Sequence, residues 1–202
     1  MEGPKRNVHN LNHFLTAYSP DIVFLSEPQI YSCDVVSLMD LFRDRYYFLL
    51  NSEDKYDDTL PLRRSHAHGG TLMLWRNDLH PFIEPMTVTT CAFLPIIFHL
   101  PGSNPTIHVC IYLPTGGKDK QFVEELTALA STLHDIYLSY PGAPVYLHGD
   151  FNVSNSNRKR MALFDRLMES EGLVETVIHH PTYHHFVGSG SYDLHLDKVL
   201  YS

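Results

Sequence analysis

The residues in this sequence best suited to chemistry are oxygen donors at the ends of apolar runs. In Val145-Tyr146-Leu147-His148-Gly149-Asp150-Phe151-Asn152 a strand-like run meets a glycine, then a carboxylate and an amide two positions apart. On a continuing strand Asp150 and Asn152 project to the same side, one to hold a cation or a water and the other to donate to a phosphate oxygen. An Asx turn that closes the strand is the plainer alternative. Gly149 lets a second backbone or a phosphate approach closely. Glu27 ends the apolar run Asp21-Ile22-Val23-Phe24-Leu25-Ser26 and faces the same kind of rim. Taken alone it reads as a solvent-facing strand end. Together, Glu27 and Asp150 could bind a hard divalent cation through oxygens, with water in the other positions, an arrangement that magnesium prefers.

Two further residues have suitable placements. Tyr112 closes an apolar run just before Leu113-Pro114-Thr115-Gly116-Gly117, so its hydroxyl could touch a phosphate. Asp197 sits in Leu194-His195-Leu196-Asp197-Lys198-Val199-Leu200, where it alternates with leucines. A carboxylate there needs water at a strand edge, or a partner such as a histidine or a metal. The 14 histidines include the close pairs His66/His68, His179/His180 and His184/His185. Strand neighbours point to opposite faces, and no pair falls in a helical or cysteine-containing ligand set, so a structural zinc is disfavoured. There is no Gly-x-Ser-x-Gly elbow and no Gly-x-x-x-x-Gly-Lys loop.

Periodicity supplies the elements that must position these groups. Helices are expected over Asn10–Tyr18, Val35–Phe42, Lys118–Tyr140 and Asn157–Glu169, the last capped by its asparagine. In the third, Phe122, Leu126, Leu129, Leu133, Ile136 and Tyr140 line one face. Strands are expected over Asp21–Glu27, Tyr46–Leu50, Thr71–Trp75, Thr87–Thr90, Ala92–Leu100, Thr106–Tyr112, the run from Val145, Leu173–Ile178 and Leu194–Tyr201. Pro95 marks its strand as an edge or a bulge, and residues 51–68 read as a surface loop. Strands mostly follow strands, which favours two packed sheets flanked by helices over a doubly wound parallel sheet.

With 202 residues, 44% hydrophobic and 19% charged, the chain suits one domain with a sizeable core. Three scattered cysteines and no signal-like start suggest reduced thiols in an intracellular setting, nuclear or cytoplasmic and not secreted. No run reaches membrane-helix length, so no membrane partner is expected. A net charge of −8 is a poor match to bulk electrostatic binding of nucleic acid. Arg63-Arg64 and Arg158-Lys159-Arg160 are the dense basic spots, read as solvated faces or phosphate contacts.

Six blocks, in order, resemble the endonuclease/exonuclease/phosphatase superfamily, and most closely the endonuclease domain of non-LTR retrotransposons. They are Pro20-Asp21-Ile22-Val23-Phe24-Leu25-Ser26-Glu27-Pro28, His68-Gly69-Gly70-Thr71-Leu72-Met73-Leu74, Tyr112-Leu113-Pro114, Gly149-Asp150-Phe151-Asn152, Pro181-Thr182-Tyr183 and Leu196-Asp197-Lys198-Val199-Leu200. The resemblance implies a DNase I-like four-layered α/β sandwich, two mostly antiparallel sheets flanked by helices. It also implies cleavage of the DNA phosphodiester backbone with magnesium, or manganese in its place. Glu27 and Asp150 would then hold the metal, and Asp150 would also position or deprotonate the attacking water. Asn152 and Tyr112 would contact the scissile phosphate, and Asp197 would orient a catalytic histidine. Two family features have no match: an opening strand with a metal-holding asparagine, for which Asn7 lies too close to Pro20, and a closing Ser-Asp-His block. His195 is a poor substitute for the histidine, about 7 Å away along the strand. The expectation is therefore one incomplete domain over 1–202, lacking the first and last strands. That leaves open an active enzyme, an inactive relic or binding module, and a phosphatase or phospholipase of the same fold.

Overall fold

The computed structural model describes residues 5–28, 30–31, 40–52, 69–154, 156–176, 183–187, 190–194 and 197–202, with backbone alone at 5–9 and between 183 and 199. Its centre is two facing sheets. The first has strand order β1 (Ile22–Ser26), β3 (Thr71–Arg76), β2 (Tyr46–Asn51), all antiparallel. The second has six strands in the order β4 (Ile83–Pro85), β5 (Phe93–Phe98), β6 (Thr106–Tyr112), β7 (Val145–Asp150), β11 (Asp197–Tyr201), β8 (Val174–Glu175). Only β6 and β7 run parallel among its pairs. A parallel pair needs a crossover, and helix α2 (Asp119–Ser139) supplies it. Strands β9 (Tyr183–Val187) and β10 (Gly190–Leu194) form a separate hairpin.

Alternation along the strands builds the layers. In β3, Leu72 and Leu74 join Leu15 of α1 (Lys5–Tyr18), Val23, Phe42 and Tyr46 in one buried cluster. Met73 and Trp75 point the other way, into an inter-sheet cluster with Ile83, Leu94, Ile96 and Cys110. On the far side of the second sheet, Ile107, Val109 and Ile111 of β6 and Val145 and Leu147 of β7 pack under α2 and α3 (Arg158–Ser170). The buried stripe of α2 is Phe122, Leu126, Leu129, Leu133 and Ile136, as its 3.6-residue spacing requires. The result is helix, sheet, sheet, helix: the expected four layers.

Several boundaries differ from the sequence reading. Helix α1 starts at Lys5, not Asn10. Residues 87–90 form no strand; the chain instead makes a 3-10 turn over Asn77–Phe82 and then the short β4. Strand β5 is neither edge nor bulge, since its register against β6 is unbroken from Phe93↔Ile111 to Phe98↔Thr106. Pro95 is tolerated because its carbonyl, and so its nitrogen, faces the β4 side, where Met86 N donates to Pro95 O beyond the end of that strand. Strand β8 is Val174–Glu175, without Leu173 and Thr176, and residues 177–178 of the expected strand lie outside the described residues. The hairpin β9–β10 was not foreseen. Residues 35–39 of the expected second helix and 53–68 of the expected loop lie outside the described residues. Among the described residues no helix is long and apolar enough to cross a membrane.

Candidate active site

The candidate residues gather where β1, β6 and β7 end side by side. In β1 the inter-sheet face carries Ile22, Phe24 and Ser26, and the chain leaves the strand at Glu27 through a left-handed residue, φ 50°. The Glu27 amide is held by Gly70 O at 3.0 Å. The half-buried Glu27 borders a cavity of about 430 Å³ together with Gly70, Thr90, Tyr112 and Lys118. That volume lies within the usual range for small-molecule sites.

Strand β7 ends at Asp150 and does not run through to Asn152. The turn is an Asx turn: Asn152 N donates to Asp150 Oδ1 at 2.8 Å, and Asn152 adopts φ 50°. The two motif residues therefore do not share a strand face, because the Asp150 carboxylate is itself the acceptor that bends the chain. The turn nonetheless aims Asn152 at the neighbouring strand end. Its Nδ2 donates to Leu113 O at 2.8 Å, and Leu113 N donates to Asp150 O at 2.9 Å. Tyr112 is the parallel-register partner of Asp150, so the phenol and the carboxylate leave adjacent strands at one level.

The close backbone approach expected at Gly149 is present. Its φ is +139°, and a Cβ there would lie 2.0 Å from Ile111 O and 2.7 Å from Ser26 Oγ. Ser26 Oγ donates to Ile111 O at 2.7 Å and accepts from Asp150 N at 3.2 Å. The residue before Glu27 is thus one hydroxyl away from the backbone of Asp150. Asp197 is the antiparallel partner of Asp150 on β11; its side chain lies outside the described residues. So do His195, the histidines at 66, 68, 179 and 180, and the side chains of His184 and His185.

Beneath the rim, between the sheets, His148 stacks on Phe24 at 4.4 Å, and His108 Nδ1 lies 3.1 Å from His148 Nε2. Burial pushes both imidazoles below their ordinary range. His148 falls to about 4, with His108 adding to the effect. At neutral pH the pair is uncharged, one ring donating to the other. Burial also pushes the Cys110 thiol up to about 12, so it is not a thiolate nucleophile.

The basic run at 158–160 divides. Arg158 and Lys159 are exposed, but Arg160 is 2% exposed and turned inward, neither a solvated face nor a phosphate contact. Its guanidinium donates to Pro114 O (2.5 Å), Thr115 O (2.8 Å), Asn152 O (3.4 Å) and Asp119 Oδ1 (3.0 Å), and lies 4.3 Å over the Phe122 ring. One side chain ties the loop after Tyr112 to the turn that carries Asn152. Residues 160, 164 and 167 form the buried stripe of α3, so helical spacing could have revealed this role. Ser26 was also missed, although it falls on the same strand face as Ile22 and Phe24.

The oxygen donors present suit a hard cation. Among the described residues no three histidine, cysteine or acidic side chains cluster as a metal site. The two carboxylates at these strand ends are those of Glu27 and Asp150, and of the two Glu27 alone lines the cavity. Magnesium binds in that manner, through one or two carboxylates with several waters retained.

Comparison with known proteins agrees with this architecture. A search of curated protein sequences returned no match. Among solved structures, the endonuclease domain of TRAS1, a telomere-specific non-LTR retrotransposon, superposes with a TM-score of 0.66 at 12% identity, over 96% of this chain and 78% of that one. The catalytic domain of human nocturnin with bound sulfate gives 0.64 at 13%, over 98% and 75%. TDP2 from C. elegans gives 0.59 at 13%, over 98% of this chain but only 59% of its own length. The family described as Endonuclease/Exonuclease/phosphatase matches residues 2–202, and with two facing sheets and their flanking helices in the corresponding arrangement, the chain belongs to that family.

Proposed function

We propose that the chain is a magnesium-dependent phosphodiesterase of the endonuclease type that acts on DNA. One observation carries this reading. Ser26, next to Glu27 in the chain, accepts from the Asp150 amide more than a hundred positions away, which brings the two strand ends together beside Tyr112 and Asn152. Glu27 and Asp150 would hold the cation. When bound, it would supply a Lewis acid to the phosphate oxygens. Asp150 positions the attacking water and takes its proton. The Asn152 amide and the Tyr112 hydroxyl hold the phosphate and donate to the charge that grows on its oxygens. Asp197, paired in register with Asp150, occupies the next strand position. The TRAS1 domain, an endonuclease by its description, supports DNA as the substrate class.

The net charge of −8 favours a second reading, a small or lipid phosphodiester as substrate. Nicking of supercoiled plasmid in magnesium, set against hydrolysis of an inositol phosphate and of sphingomyelin, separates the two. Glu27→Gln and Asp150→Asn should each lower the rate by about a hundredfold or more, and chelation should abolish it. Undiminished turnover by Asp150→Asn, or cleavage that survives chelation, would show the reading to be wrong.

A further inference from the structure

We propose that Ser26 is a positioning residue, an inter-sheet pin that sets the separation of Glu27 and Asp150 and thereby the affinity of the site for its cation. The proposal rests on the reading of those carboxylates as metal ligands.

Packed sheets ordinarily meet through interdigitated side chains, with their backbones about 10 Å apart. At the rim this chain does otherwise. Ser26 ends β1 in the three-stranded sheet, and its hydroxyl engages the backbone of two strands of the other sheet, donating to Ile111 O of β6 at 2.7 Å and accepting from Asp150 N of β7 at 3.2 Å. Because its one proton is committed to Ile111 O, the lone pairs are directed to the Asp150 amide. Gly149 makes this possible, since a Cβ there would collide with both Ile111 O and Ser26 Oγ. Serine and glycine are therefore two halves of one contact.

The pin sits at a chain position that conveys it directly to the site. Glu27 follows directly, and its own amide is anchored within the first sheet by Gly70 O. Asp150 is the residue whose amide the pin receives. Below the rim, Met73, Trp75, Leu94 and Ile96 hold the sheets together by packing, and the Cys110 thiol adds one long hydrogen bond of 3.6 Å to Leu25 O. Packing is non-directional and fixes no single separation at the rim; two hydrogen bonds from one oxygen do. Removing that oxygen should loosen the pair of carboxylates while the sandwich stays folded.

Ser26→Ala deletes the oxygen and adds no bulk, and Ile96→Val trims the inter-sheet packing without touching the pin. Manganese titration by calorimetry should show Ser26→Ala binding about tenfold more weakly than wild type, as for other residues that orient metal ligands. The manganese concentration for half-maximal plasmid cleavage should rise by the same factor, with the rate at saturating metal largely retained. Ile96→Val should melt at a lower temperature with unchanged manganese affinity. Amide exchange at Asp150 should accelerate in Ser26→Ala alone. Equal manganese affinity in Ser26→Ala and wild type, an equal loss in Ile96→Val, or no manganese binding by wild type would overturn the proposal. A wild-type chain that binds manganese tenfold more tightly than Ser26→Ala yet cleaves nothing would uphold the pin and remove the hydrolase reading.

Discussion

At the scale of single residues the rim is constrained by two kinds of contact, steric at Gly149 and protonic at His148. An alanine at 149 would need a Cβ 2.0 Å from Ile111 O, inside any tolerable separation, at a φ that side chains rarely adopt. The obstructing atom is backbone, so relief requires β6 and β7 to part. Gly149→Ala should cost about 3 kcal/mol or more in a urea melt, whereas alanine at Gly116, where a Cβ meets nothing within 4 Å, should cost little. The histidine pair predicts a pH dependence with a definite sign. Folding lowers the pKa of both rings, that of His148 to about 4, so below about pH 6.5 the unfolded chain binds more protons than the folded one. Stability from this pair is complete above pH 6.5 and is lost as pH falls toward 4. Thermal melts between pH 7.5 and 4.5 should show a shallower slope for His148→Phe, whose ring can still stack on Phe24, than for wild type. Parallel slopes would exclude the pair as a source of acid lability.

At the scale of elements, the site depends on a helix that contributes no group to it. Arg160 enters from α3, and its fork joins the loop after β6, the turn after β7 and the start of α2. Its partner Asp119 is 51% exposed and can rehydrate, so loss of the arginine strands no buried charge. The carbonyls of Pro114 and Asn152 lose their guanidinium donor, while Thr115 O keeps the Lys118 amide at 3.4 Å. Arg160→Met should therefore destabilise by about 2–4 kcal/mol, less than the rupture of a fully buried ion pair. Arg160→Lys should fall between, because an ammonium keeps the charge but lacks the planar fork. In the urea-stable fraction of Arg160→Lys, KM for a phosphodiester should rise more than kcat falls, since Asn152 loses its support while Glu27 and Asp150 keep theirs. A variant with wild-type KM would show that the turn carrying Asn152 holds its own shape.

At the scale of the whole molecule, charge and fold pull in different directions. A chain at net −8 repels a long polyanion, and with Arg160 consumed internally fewer cations face solvent than the sequence suggests. Raising salt from about 0.01 to 0.15 M shortens the screening length from about 30 to about 8 Å. Plasmid cleavage should accordingly rise over that range while hydrolysis of a small phosphodiester stays flat. The steep loss typical of proteins that dock on DNA through many cations would instead place a working basic patch beside the rim.

The sequence by itself determined the layers and the candidate groups. The 2.0- and 3.6-residue periods of β3, β6, β7 and α2 set which faces are buried, and apolar runs that stop at Glu27, Tyr112 and Asp150 mark a common rim. Tertiary structure alone decided how those groups stand to one another. Asn152 leaves the strand because the Asp150 carboxylate captures its amide. Pro95 enters an unbulged strand because its nitrogen faces the side on which β4 has ended. Arg160 points inward because three loop carbonyls and an aromatic face await it there, and Ser26 matters because Ile111 and Asp150 lie within its reach. Burial patterns are local properties of the chain and can be read along it; hydrogen-bond partners 46, 85 and 124 residues apart exist only once the sheets have met.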